Sequence, residues 1–397
     1  MTLSDVSAEH RAESQRMSAV TPGPGTLRIA LTSVFGDPLE ASTWSGAPAN
    51  LANELRALGA DVLSIHPRST RGHDLWDALQ HFIGLGGAPL NREATMRIPS
   101  ARARRALAVS QAALRLGVDR VLHTGTLDMP ADASDRAVRH YLYCDHTWDL
   151  AKRYAVRGRQ RSAGRAEPFE ELERSAYAAC QHIFTFGGYV RDNLVDHYGI
   201  SPDRVTVVGS GMGRIRPYDG PKDYAHGAML FIAKHLFTEK GGQLALKAFR
   251  IARRRRPDLR LIVVGNDRWR SLVGAEPGVH VVGHVPWDAL EELLRSAALL
   301  LQPMFNDPWG QVYLEALASR TPVIGLDRNG LPEITDGGRH GFLVPVADPV
   351  VLAETIIDAM ADPDRLAAMG ESGQRHVLSR YSWRRVADSI SRTFTTQ

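Results

Sequence analysis

Short apolar runs alternate with longer segments of helical period along most of this chain. Leu27–Thr32, Ala60–Ile65, Arg120–His123, Arg139–Tyr143, His182–Phe186 and Val205–Val208 read as a first series of strands. Ala228–Ala233, Leu259–Val264, His280–Val282, Ala298–Leu301 and Pro322–Leu326 read as a second. The first intervening helix starts at Gly46-Ala47-Pro48-Ala49-Asn50-Leu51. Strands separated by helices predict parallel, helix-covered sheets, so the chain is expected to be α/β with two doubly wound halves. The segment 209–227, rich in Gly, Pro and Asp, is the expected linker between a first domain over 27–208 and a second over 228–378. Residues 1–26 read as a loose polar tail, without the apolar stretch of a signal peptide.

Composition narrows the class. At 397 residues the chain exceeds the size at which one hydrophobic core stops growing, which agrees with two domains. No apolar run approaches the roughly 20 residues that cross a bilayer, so a cytoplasmic protein is expected. Cys144 and Cys180 are too few for a disulfide scaffold or a four-thiolate metal site and are expected to be reduced, buried thiols. A net charge of +4 does not by itself imply nucleic acid. The arginines cluster at Arg102-Arg104-Arg105, across 152–165 and at Arg253–Arg256, but no aromatics interleave them as a base-stacking platform requires. Arg253–Arg256 end a helix before Pro257 and would offset its dipole. The 152–165 run is read as a solvated basic loop, with an acceptor-site cover or a peripheral contact with anionic membrane as the alternatives.

The chemistry concentrates in Asn306–Ile334, NDPWGQVYLEALASRTPVIGLDRNGLPEI. A buried strand stops at Pro303, Pro308 and Gly310 make a turn, and Val312, Leu314, Ala316 and Leu317 begin a helix. The amides of Gly310, Gln311 and Val312 at its positive end form an anion site suited to a diphosphate. Asp307 just before the helix and Glu315 two turns into it can both reach hydroxyls flanking that phosphate. Two other motifs mislead. Val208-Gly209-Ser210-Gly211-Met212-Gly213 mimics a dinucleotide fingerprint, but Arg214 stands where the third glycine belongs, so the glycines read as hinge positions. Asp362-Pro363-Asp364 mimics a metal-binding pair and reads as a helix cap.

The two acids at 307 and 315, followed by Ala318-Ser319-Arg320-Thr321-Pro322-Val323-Ile324 and Gly330-Leu331-Pro332-Glu333-Ile334, resemble the retaining family 4 glycosyltransferases. Trp44-Ser45-Gly46, Lys234-His235 before Lys240-Gly241, and Tyr143-Cys144-Asp145-His146 carry the resemblance over most of the chain. It implies GT-B architecture, two Rossmann-like domains facing across a cleft, and metal-independent transfer of a hexose-type sugar from a nucleotide-sugar to an acceptor, with no cofactor. By the same resemblance, Asp307 would contact the donor sugar, Glu315 the ribose, and amides at Trp309, Gly310, Gln311 and Val312 the sugar and phosphate. Gly46 would allow close backbone approach, and Lys240 with Lys234 or His235 would neutralise the diphosphate. The backbone near Val285 would meet the base, and His146 the donor hexose or the acceptor, a structural histidine being the alternative. Lys240, Asp307 and His146 are the catalytic candidates, and no metal ligands are expected. Where the family usually has glutamate, this chain has Asp307. The segment 379–397, starting near Tyr381-Ser382-Trp383, resembles the helix that crosses back to the first domain. A nucleotide-sugar epimerase or hydrolase, or a catalytically silent sugar-nucleotide-binding protein, would share this architecture.

Overall fold

Two six-stranded parallel sheets follow one another along the chain. The structure, a computed structural model, describes residues 26–67, 95–131, 137–154 and 167–396. The tail over 1–25 and positions 155–165 of the basic run lie outside the described residues. The first sheet comprises β1 (Arg28–Thr32), β2 (Asp61–Ile65), β3 (Arg120–His123), β4 (Arg139–Cys144), β5 (His182–Thr185) and β6 (Val205–Val207). The second comprises β7 (Met229–Ala233), β8 (Leu261–Gly265), β9 (Val279–Gly283), β10 (Leu299–Leu301), β11 (Val323–Leu326) and β12 (Gly341–Val344). Helices α1 (Ala47–Ala57), α2 (Pro99–Arg115), α3 (Trp148–Arg153), α4 (Glu167–Ala179) and α5 (Gly188–Asp196) accompany the first sheet. With the second run α6 (Gly242–Arg255), α7 (Trp269–Val273), α8 (Trp287–Ser296), α9 (Gln311–Ala318), α10 (Leu331–Ile334), α11 (Pro349–Ala361) and α12 (Pro363–Arg380), and α13 (Trp383–Thr396) ends the chain.

Strands such as β5 and β10 are buried at every residue, which is why they carry no polar alternation: helices cover both faces of a parallel sheet. The spatial orders are β2-β1-β3-β4-β5-β6 and β12-β11-β10-β7-β8-β9. Strand order therefore reverses between β1 and β3 in one sheet and between β7 and β10 in the other. Loops leaving the carboxyl ends of strands at such points diverge and open a crevice where ligands bind. In the second sheet those loops carry Lys240 and Asp307.

One hydrophobic cluster runs through both halves. Phe186 of the first half meets Trp309 of the second with ring centroids 5.9 Å apart, and Trp309 meets Tyr381 at 5.7 Å. Helix α13 buries Val386, Ala387, Ile390 and Phe394, a helical stripe, and packs on α1; Phe394 sets its ring edge on Tyr141 at 4.5 Å. The segment after Arg380 thus returns to the first domain.

Several details depart from the sequence pattern. Strand β12 was not anticipated, because four residues following a glycine-rich turn carry too short a period to read. Of the clustered arginines, Arg102 is internal and Arg105 half-buried. Arg102 is 1% exposed and donates to the carbonyls of Thr126 and Leu172 at 2.9 and 2.7 Å, while Arg105 donates to Leu127 O at 2.9 Å. Arg253, Arg254 and Arg255 do sit in the last turn of α6, and Asp362 caps α12 by accepting from the Arg365 amide at 2.9 Å. The glycines at 209–213 form coil, whose carbonyls accept from Tyr143, Gln311 and Trp383 at 2.7–2.8 Å. Cys144 and Cys180 are free and buried, and burial pushes the Cys180 thiol up to about 12.

Candidate active site

The turn after β1 enters the cleft in an unusual conformation. Trp44, Ser45 and Gly46 are all left-handed, with φ of 46°, 56° and 82°. Two non-glycine residues held there cost of order 1–3 kcal/mol each, and such strain concentrates at ligand-binding turns. Trp44 is fixed against Phe186 and Tyr143, with centroids 5.3 and 6.1 Å away. At Gly46 a Cβ would approach the Ala41 carbonyl to 3.2 Å, so the bare backbone starts α1 without obstruction.

After β4 the chain delivers Asp145 and His146. Burial pulls the His146 imidazole down to about 4, against the opposite pull of the Asn306 side chain from the second domain. Neither buried ring nitrogen completes a hydrogen bond, so Asn306 approaches the ring without closing one. A neutral imidazole with both nitrogens unfilled is ready to bind a hydroxyl. Burial also pushes Asp145 up to about 7. His123, at the end of β3, is different: it contacts Asp128 and His140 at 2.8 and 2.9 Å and is fully enclosed, a structural role.

In the second domain Lys240 and Asp307 form an ion pair across the strand-order reversal. Solvent still reaches 27% of the Lys240 side chain, yet burial pulls its ammonium down to about 8 while Glu315 works in the other direction. Glu315 is 6% exposed, and burial pushes its carboxyl up to about 7, with Lys240 opposing. No hydrogen-bond donor among the described residues satisfies that carboxylate. A Cβ on Gly213 would fall 2.1 Å from Glu315 Oε1, so the linker backbone closes one side of the same niche. A nearly buried acid without protein donors is a ready acceptor for a ligand's hydroxyls.

Gly310 caps α9 in the left-handed region at φ 73°, and Gln311 and Val312 open the helix, so their amides point to the crevice. The Gln311 side chain itself is engaged, donating to Gly211 O at 2.7 Å. Trp309 is 3% exposed and serves the interdomain core with its ring, leaving its backbone to the site. Lys234 and His235 lie exposed on the turn after β7, outside the Lys240–Asp307 pair. Val285 is half-buried in the turn between β9 and α8.

Two contributors were given no role from the sequence, although Asn306 opens its most informative stretch. Asn306 faces His146, and Tyr189 places its hydroxyl 2.6 Å from Asp145 O and 2.8 Å from Pro308 O, spanning the domains. Both depend on the docking of one half against the other, which no local pattern reports.

Comparison with known proteins fits this arrangement. The family model for glycosyl transferases group 1 matches residues 223–376, and that for glycosyltransferase family 4 matches residues 49–212. The D-inositol 3-phosphate glycosyltransferase of Corynebacterium kroppenstedtii is 30% identical over 227 residues, covering 51% of this chain and 50% of that protein. The chain spans about half the length of the curated relatives it matches first. Among solved structures, sucrose-phosphate synthase from Thermosynechococcus elongatus superposes with a TM-score of 0.72 at 16% identity, over 93% of this chain and 98% of the other. Anabaena HepE in complex with UDP and glucose gives 0.64 at 16% identity, over 94% and 100%. Likeness at these identities establishes the shared GT-B fold. With models of one group covering both halves, the chain belongs to the group 1, family 4 glycosyltransferases.

Proposed function

We propose that this protein is a retaining glycosyltransferase that moves a hexose-type sugar from a nucleotide-sugar to an acceptor hydroxyl without a catalytic metal ion. The observation that carries the reading is the nearly buried Glu315 carboxylate, which has no protein donor among the described residues and is set beside Lys240 and Asp307 at the reversal of strand order. Ribose hydroxyls would supply the donors that Glu315 lacks, and the α9 amides would take the diphosphate. Asp307 would release Lys240 to that diphosphate and receive sugar hydroxyls instead. The UDP and glucose held by the Anabaena neighbour support this class of donor.

In the reaction, the bond from the anomeric carbon to the phosphate oxygen breaks and a bond to the acceptor oxygen forms on the same face. The acceptor's proton passes to the departing phosphate oxygen. Charge grows on the diphosphate, where Lys240 and the helix start stabilise it more in the transition state than before. His146, neutral at physiological pH, would hold a sugar or acceptor hydroxyl rather than donate charge.

The test is product analysis by proton NMR after incubation with a panel of nucleotide-sugars and candidate acceptors in excess chelator, well below the melting temperature. A new glycoside with the donor's anomeric configuration is expected. An inverted product overturns the retaining mechanism, activity that requires added magnesium or manganese overturns the metal-free one, and an epimerised or hydrolysed donor assigns a different reaction. Absence of any turnover across the panel favours a binding protein.

A further inference from the structure

Among the described residues, Asp336, His340 and His376 are the one group of three His, Cys, Asp or Glu side chains placed to share an ion, with a ligand atom from each within 4.8 Å of the others. They lie outside the cleft residues. Asp336, left-handed at φ 51°, and His340 belong to the turn from α10 to β12, three residues or more past Glu333, and His376 belongs to α12.

The hydrogen bonds around them prepare nitrogens for a ligand. The Ser372 hydroxyl donates to Met369 O at 3.1 Å, so its oxygen accepts from His340 Nδ1, 3.1 Å away. That contact fixes the tautomer with Nε2 unprotonated, as the hydrogen bonds behind metal-bound imidazoles do. His376 Nε2 is buried and has no hydrogen-bond partner. The two rings lie 4.7 Å apart at 40°. Of the Asp336 carboxylate, Oδ2 accepts from Arg339 at 3.0 Å, which leaves Oδ1 for an ion.

We propose that Asp336, His340 and His376 bind one divalent transition-metal ion of the zinc class, which clamps α12 to the turn following Glu333. Two imidazoles and one carboxylate suit zinc and its borderline neighbours, whereas magnesium and calcium prefer all-oxygen sets. Three protein ligands leave a fourth tetrahedral position for water. Held on three side chains outside the cleft residues, the ion would stabilise the turn that carries Glu333 and the helix that leads into the crossover.

The experiment uses untagged full-length protein, stripped with chelator and titrated with cobalt(II) and then zinc(II). One equivalent of cobalt should produce tetrahedral-type visible absorption that zinc abolishes stoichiometrically, and zinc should raise the Tm by a few degrees. His376→Gln should lose both effects. Ser372→Ala, which touches no ligand atom, should retain the fold and weaken zinc affinity about 10–100-fold. No cobalt absorption in the parent protein overturns the site, as does a His376→Gln protein that binds with parental stoichiometry and affinity. Should His376→Gln not fold, unchanged affinity in Ser372→Ala overturns it instead.

Discussion

The Gly188 amide donates to the Glu333 carboxylate at 2.7 Å, joining residues 145 positions apart and on opposite sides of the domain boundary. Burial pushes the Glu333 carboxyl up, and the Gly188 bond opposes that shift by favouring the anion. Tyr381 reinforces the turn by donating to Glu333 O at 3.3 Å. The motif around Glu333 therefore holds the two halves in register. Replacing Glu333 by Ala leaves the Gly188 amide without its charged acceptor, an effect of about 1–3 kcal/mol on the closed arrangement. A larger radius of gyration in X-ray scattering and a lower Tm are expected, with Glu333→Gln intermediate because it keeps an oxygen. Scattering and Tm identical to the parent protein would remove the clasp from the account.

Lys240 sits between two carboxylates, paired to Asp307 and within the electrostatic reach of Glu315. A diphosphate entering this niche adds negative charge and raises the Lys240 pKa above about 8, so the bound lysine stays protonated at neutral pH. Its effect is greatest when the leaving group has its full charge. Lys240→Ala should lower kcat about a hundredfold or more while KM changes little. Steady-state kinetics with a raised KM and unchanged kcat would show that the lysine binds ground state and transition state alike.

His146 titrates near 4, so it is already neutral throughout the range where the enzyme is assayed. The pH profile of kcat/KM should show no inflection near 6.5 that disappears on substitution. Removing one neutral hydrogen bond is worth about 0.5–1.5 kcal/mol, so His146→Ala should slow turnover about two- to tenfold. An inflection near 6.5 present in the parent and absent in His146→Ala would instead give the residue an ionising role.

The fold was legible because its parallel strands are buried on both faces, and such runs as Leu299-Leu300-Leu301 announce themselves without any partner. The cores of the site were legible for a related reason: Asp307, Gly310 and Glu315 share one local turn and helix, so their spacing is geometry. The pairing of Lys240 with Asp307 was not, since it depends on β7 lying beside β10. Sequence distance hides a neighbour created by strand order. Arg102 shows the complementary failure, because a run of arginines reads as surface until carbonyls from elsewhere enclose one of them. The His340–His376 contact joins a turn to a distant helix and belongs to the same class.

Glu315 offers a prediction in which stability and binding move apart. Its carboxyl titrates near 7 in the folded protein and near 4.5 in the unfolded chain. Between those values the folded state holds the proton and the unfolded state releases it, so the contribution to stability is intact below pH 4.5 and is lost as the pH rises through 7. At higher pH the buried carboxylate is ionised without a protein donor, a burden of about 3 kcal/mol. Glu315→Gln carries no such charge, although its buried amide also lacks partners and offsets part of the gain. The variant should therefore melt a few degrees higher than the parent above pH 7, with the gap closing below about pH 4.5. On the proposed reading, the same substitution would remove the charged acceptor for two ribose hydroxyls. Charge-assisted bonds are worth about 1.5–3 kcal/mol, so affinity for the preferred nucleoside diphosphate should fall roughly tenfold to a hundredfold. Thermal unfolding across pH 4–9 and calorimetry with UDP, GDP and ADP measure the two effects on one preparation. Parental affinity in Glu315→Gln would remove the ribose assignment, and a Tm gap that does not change with pH would show that this carboxyl does not titrate in the folded protein as described.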